Sequence, residues 1–236
     1  VGATVAAPPS AAPVIERVHF LVQEDHLLDG TGYSDAAQVG VHSELPGCEV
    51  DLTLVPTGGA KSFLDPILRR ALRRPGPEGV VLVRCDYPTQ RLVAQSGLPA
   101  VVHGSPYAGI ELPSVDVDSR QMGLLQGEAL HRRGCEKLVV LRPDRSLPGD
   151  RMFMTGIREA ATRFGIASDR LEEVGLVPFP ELVRAELERL FRTEELLGIV
   201  CVTREIADAA WTAAMDAGRV PGADFWLHSN TLGSGT

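Results

Sequence analysis

Short apolar runs alternate with stretches of helical spacing from Ile15 almost to the end of the chain, and this alternation limits the fold more than any other feature. Runs of strand length stand at 17–22, 49–55, 79–83, 99–103 and 114–117. A second series stands at 137–141, 171–177, 198–202 and 225–228. Helical spacing fills 33–44, 61–74, 88–96, 119–133, 151–164, 180–192 and 204–217. Parallel strands need a crossover of a dozen or more residues, usually a helix, so this order predicts βαβ units and parallel sheets. The series divides near Gly134 into two parts with four or five strands each. The expected fold is therefore α/β, with two Rossmann-like parallel-sheet lobes, residues 14–134 and 135–236, and a ligand cleft between them. Residues 1–13 are rich in alanine and proline without periodicity and read as a linker or tail.

Two helices show the pattern in detail. In 119–133, Met122, Leu125, Ala129 and Leu130 are expected to form the buried face. Asp118 or Ser119 can cap its start, and Gly134 suits its end. In 61–74 the expected stripe is Phe63, Ile67, Leu68 and Leu72. Arg69, Arg70, Arg73 and Arg74 then read as a solvated cluster that complements the helix dipole.

Composition excludes several classes. No apolar run approaches the ~20 residues of a membrane helix. Lys and Arg total 23 against 31 Asp and Glu, a net charge of −8, which is a poor basis for gripping a phosphate backbone. Cys48, Cys85, Cys135 and Cys201 lack C-x-x-C spacing and read as reduced thiols of a cytoplasmic protein. The histidines form no H-x-x-x-H pair, so neither a metal nor another cofactor is expected. Gly30-Thr31-Gly32 lacks the third glycine of a dinucleotide loop, since Asp35 stands there. No Walker motif or G-x-S-x-G elbow occurs. Asp116 and Asp118 alternate along an extended segment and make no acid/base pair. An enzyme is not expected.

Residues 114–166 are more specific. They contain Asp118 at a strand end, Gly123 early in the next helix, Leu130 and Gly134 at its close, and the strand 138–141. Arg151, Gly156-Ile157 and Arg158-Glu159-Ala160 follow. This order resembles the effector-binding core of LacI/GalR-type transcription regulators. The segment from Gly198 to Asn230 resembles the family's later strand, helix start and approach to the next strand. The resemblance spans roughly residues 17–230 and implies a bilobed core like type I periplasmic sugar-binding proteins. It further implies a small, sugar-like effector, a homodimer, and DNA contact through a separate N-terminal module outside these residues. Such a core is expected to cross back to its first lobe after about residue 230. An alternative within the same fold is a solute-binding protein for transport or chemotaxis.

The resemblance also implies site residues. Asp118 stands where the family has a cleft-facing acid, whose oxygens accept from sugar hydroxyls; equally, it suits a helix cap. Tyr33 and Phe179 follow strands and offer rings to an apolar sugar face, or serve as a loop anchor and a core residue. Arg151 is the arginine nearest the family's effector-gripping position, which Phe153 occupies here, and pairing with Asp150 or Glu159 is its other reading. Thr203 and Arg204 replace an Asn-Asp pair, and Asn230 lies where a Gly-aromatic-Asp segment is usual. These departures imply an altered set of polar contacts.

Overall fold

The computed structural model describes residues 15–24, 32–144, 147–177 and 179–230. The expected tail at 1–13 and most of the Gly30-Thr31-Gly32 loop lie outside them. The chain forms two compact units, divided between Ser114 and Val115.

The first unit holds β1 (Arg17–Gln23), α1 (Gly32–Glu44), β2 (Glu49–Val55), α2 (Ala60–Arg73), β3 (Glu78–Val83), α3 (Tyr87–Ser96), β4 (Ala100–His103) and the start of β5 (Ser114–Val115). Its sheet has the order β2-β1-β3-β4-β5. β1 pairs in parallel with β2 and β3, and β3 with β4. β1 is apolar almost throughout because helices cover both its faces. Leu21 packs with Val80, Leu82, Leu64, Leu68 and Val93, under α2 and α3. Val18, Phe20 and Val22 point the other way, toward Ala37, Val41 and Leu45 on the α1 side.

The second unit holds α4 (Ser119–Arg132), β6 (Lys137–Pro143), α5 (Pro148–Arg163), β7 (Leu171–Leu176), α6 (Pro180–Leu190), β8 (Leu197–Cys201), α7 (Arg204–Asp216) and β9 (Phe225–Ser229). Its strands run in the order β7-β6-β8-β9, and every pair is parallel. Val139 and Leu141 pack with Leu187, Ile206 and Ala210 of α6 and α7. Leu138 and Val140 pack with Leu130, Phe153 and Ile157 of α4 and α5. Alternate residues of one strand thus feed two cores, as the period of two requires.

Three expectations need correction. The division falls about twenty residues before Gly134, because α4 belongs to the second unit. The buried face of α4 is Ser119, Gly123, Gly127 and Leu130, while Leu125 is 54% exposed. Its glycines permit close approach to α5: a Cβ at Gly127 would stand 2.6 Å from the Ala160 Cβ. Hydrophobicity alone misses a face made of absent side chains. In α2 the buried set is Ala60, Leu64, Leu68 and Ala71, whereas Phe63 and Leu72 face outward. Small Ala60 and Ala71 let the helix sit close to the sheet, and that turns the bulkier residues away.

Candidate functional site

In each sheet the chain order reverses once, between β1 and β3 in the first and between β6 and β8 in the second. Ligands of such sheets bind beside these switch points, at the carboxyl ends of the strands. Helix N-termini gather there and supply unpaired N–H groups with partial positive charge.

In the second unit the residues singled out from sequence lie at that edge. α4 reaches the amino end of β6 after a turn of four residues, so its N-terminus, with Asp118, lies at the carboxyl edge. Asp118 is exposed, and its Oδ1 accepts from the Gln121 amide at 2.8 Å. It is therefore a helix cap, with acceptor capacity left for a ligand. Asp116 lies outside β5, and its Oδ1 accepts from the Val117 amide at 2.8 Å.

α5 begins at Pro148, three residues earlier than the spacing predicts. Asp150 accepts from the Leu147 amide at 2.9 Å and so closes the helix start. Arg151 is exposed in the same first turn. Glu159 pairs with Arg120 at 2.6 Å. Phe153 is 1% exposed and belongs to the core. A residue at that position cannot grip an effector, which leaves Arg151 as the arginine at this end of α5.

The remaining positions follow β7, β8 and β9. Phe179 is 60% exposed immediately before α6, so it is not a core residue. Thr203 is buried and caps α7, its Oγ1 accepting from the Ile206 amide at 3.4 Å. Arg204 is exposed and stands 3.4 Å from Asp208. Asn230 is held at both ends: its amide donates to the Cys201 carbonyl at 3.1 Å, and its Oδ1 accepts from Gln126 Nε2 at 2.8 Å. Gln126 Oε1 and Glu205 Oε2 are buried without a hydrogen-bond partner among the described residues. Buried polar atoms left unpaired are costly and mark places where a ligand or water completes the bonding.

The first unit contributes groups that the sequence does not single out. Gln23, 2% exposed at the end of β1, spans the switch point. Its Nε2 donates to the Pro56 carbonyl and its Oε1 accepts from the Asp86 amide, both at 3.2 Å. Gln90, also 2% exposed, donates to the Cys85 carbonyl at 3.2 Å and accepts from the Tyr107 amide at 3.1 Å. Two buried amides thus tie together the segments after β1, β2, β3 and β4. The signal for the α3 start was Asp86-Tyr87-Pro88-Thr89: Asp86 caps the Thr89 amide at 2.9 Å, with Pro88 in the first turn. No local pattern marks a glutamine as buried. Tyr33 lies in the first turn of α1, and its side chain is outside the described residues.

The thiols are enclosed. All four cysteines are free and buried. Burial pushes Cys135 up to about 11 and raises Cys201 and Cys48 as well. Among the described residues no group of three or more His, Cys, Asp or Glu is placed to hold a metal ion. No helix among them is long and apolar enough to cross a membrane.

These features agree with known proteins. A probable maltose operon transcriptional repressor from Staphylococcus aureus superposes with a TM-score of 0.75 at 12% identity, over 91% of this chain and 78% of that one. A LacI family transcriptional regulator from Enterococcus faecium with bound ribose gives 0.70 at 16% identity, over 89% and 76%. A transcriptional regulator in complex with cellobiose gives 0.71 at 18% identity, over 90% and 66%. No curated protein matches the chain by sequence. The model of the family described as periplasmic binding proteins and the sugar binding domain of the LacI family matches residues 17–226, nearly the whole described chain, and the protein belongs to that family.

Proposed function

We propose that this chain is the effector-binding domain of a bacterial LacI-type transcription regulator and that its effector is a small sugar or sugar-like molecule. The observation that carries the reading is the family match over residues 17–226. The three solved structures compared above are transcription regulators, two of them carrying ribose or cellobiose.

The chemistry of the carboxyl edges suits the task. Asp118 has acceptor capacity beyond its cap, Arg151 and Arg204 offer donors, Asn230 is anchored by Gln126, and Phe179 presents an exposed ring. The domain acts by binding. Effector stabilises one arrangement of a homodimer, and that bias passes to DNA-binding modules in the cytoplasm. The acidic net charge of −8 fits a sensor that leaves DNA contact to another module.

A thermal melting series with millimolar ribose, cellobiose and maltose tests the reading. A ligand at a hundred times its Kd stabilises the native state by about 2.7 kcal/mol, which raises the Tm by several degrees. Failure of all three sugars to raise the Tm of the folded chain would sink it.

A further inference from the structure

Asn230 is the only asparagine of the chain, and it follows β9 directly, at the carboxyl edge of the second sheet. Its backbone amide donates to the Cys201 carbonyl at the end of β8, at 3.1 Å. Its Oδ1 accepts from Nε2 of Gln126, in the middle of α4, at 2.8 Å. Backbone and side chain are thus fixed from two different elements. Among the described residues no hydrogen bond uses the Asn230 Nδ2, so this half-buried residue keeps two N–H groups to donate.

The sense of the amide pair follows from burial. Gln126 Oε1 is enclosed without a donor. With both amides turned over, the Gln126 NH2 would take that enclosed place without an acceptor. Orphaned N–H groups are rarer in protein interiors than under-satisfied oxygens, so the observed sense is the favoured one.

Stability alone does not select this arrangement. A buried oxygen without a donor is costly, and a methionine of the same length would avoid it. What Gln126 gives in return is a fixed direction for the Asn230 amide. A carboxylate at the end of β9 would only accept, and it would need a hydroxyl proton from its ligand. Asn230, its oxygen held by Gln126, does the reverse. We propose that Gln126 is a positioning residue for effector specificity: it makes Asn230 a donor, so that this position takes a sugar oxygen that has no proton to give, a ring or glycosidic oxygen as readily as a hydroxyl. This rests on the effector-binding reading above.

Calorimetric titration of the whole chain with D-ribose, cellobiose and maltose tests it, in wild type, Gln126→Met, Gln126→Glu and Asn230→Asp, with a melting curve for each. Gln126→Met removes the orphaned oxygen and frees the Asn230 amide to turn. It is expected to keep or raise the Tm while weakening the best-bound sugar about threefold or more. Gln126→Glu accepts from Nδ2 and turns Oδ1 outward, and Asn230→Asp presents oxygens alone. Each is expected to weaken binding about tenfold or more. NMR of protein labelled with nitrogen-15 at its one asparagine reads the contact directly: sugar is expected to shift the Nδ2 signals of wild type. Should a Gln126 variant fail to fold, Asn230→Asp and the wild-type signals decide. Wild-type affinity in folded Gln126→Glu and Asn230→Asp, or Nδ2 signals that bound sugar leaves in place, overturns the assignment while the effector reading stands. A lower Tm in Gln126→Met with unchanged affinity makes Gln126 a structural brace and overturns it as well. No binding of any of the three sugars by wild type overturns both.

Discussion

Gly156 of α5 lies against the backbone of Arg120 in α4 with no space for a side chain. A Cβ there would overlap the Arg120 carbonyl oxygen and stand 2.8 Å from the Leu124 nitrogen. Gly123 faces Phe153 and Ile157 in the same way, from the other helix. The two helices therefore touch backbone to backbone. Gly156→Ala must push them apart and is expected to cost about 3 kcal/mol or more by urea unfolding. Gly40→Ala is the contrast: it lies within α1 with nothing within 4 Å of its added Cβ, and it is expected to stabilise by about 0.5–1 kcal/mol.

Asp118 has a structural duty and a proposed ligand duty, and two substitutions separate them. Asp118→Ala loses the cap on Gln121 and is expected to cost about 1 kcal/mol. Asp118→Asn keeps a capping oxygen, so its stability stays near wild type. If the carboxylate holds the effector, Asp118→Asn lowers sugar affinity at nearly unchanged Tm. Equal affinity in calorimetry would reduce Asp118 to a cap.

Gln90 satisfies the Cys85 carbonyl and the Tyr107 amide from a fully enclosed position. Gln90→Leu has similar size but no polar atoms, and it removes a hydrogen-bond partner from both groups. The expected loss is about 1–3 kcal/mol, measured by chemical denaturation.

His228 is held below its usual value, first by burial and then by the Arg133 guanidinium, whose Nη1 stands 3.5 Å from the ring Nε2. Arg133 also stacks on Trp226, 4.6 Å from the ring centroid. A lowered histidine pKa means that the unfolded chain binds the proton more readily. This contribution to stability is intact above the ordinary histidine value of 6.5 and is lost as pH falls below it toward the folded value. Arg133→Gln should raise the His228 pKa, as read by NMR titration of the ring protons, and weaken this pH dependence.

The buried thiols give a readout of global opening. With Cys135 pushed up to about 11 by burial, and Cys201 raised by the same cause, native protein at pH 8 carries little thiolate and little accessible sulfur. Reaction with a disulfide reagent is expected to be slow in buffer and rapid in denaturant. Fast native labelling of Cys201 would contradict the core placement.

Much of the architecture was legible in advance because it rests on local periodicity. All nine strands and seven helices described here lie where the alternating pattern predicts them, within a few residues. The largest shift, the start of α5 at Pro148, follows from a proline at the first helical position and the Asp150 carboxylate reaching back to Leu147. The caps of α3 and α7 are likewise local: Asp86 and Thr203 need only an amide three residues ahead.

What escaped depends on partners distant in sequence. Leu125 and Phe63 look like core residues and face outward, because glycines or alanines form the true contact faces of α4 and α2. Gln23 and Gln90 look like ordinary polar residues and prove to be buried ties between segments up to 63 residues apart. Asn230 acquires its anchor from Gln126, 104 residues earlier.

The sequence by itself determined the element order, the parallel sheets and the family resemblance, since hydrophobic period and turn chemistry act over a few residues. Only the tertiary structure decided where the two units divide, which helix faces are buried, and which polar side chains brace the carboxyl edges. Those outcomes turn on how closely two backbones approach and which amides the fold leaves in need of a partner.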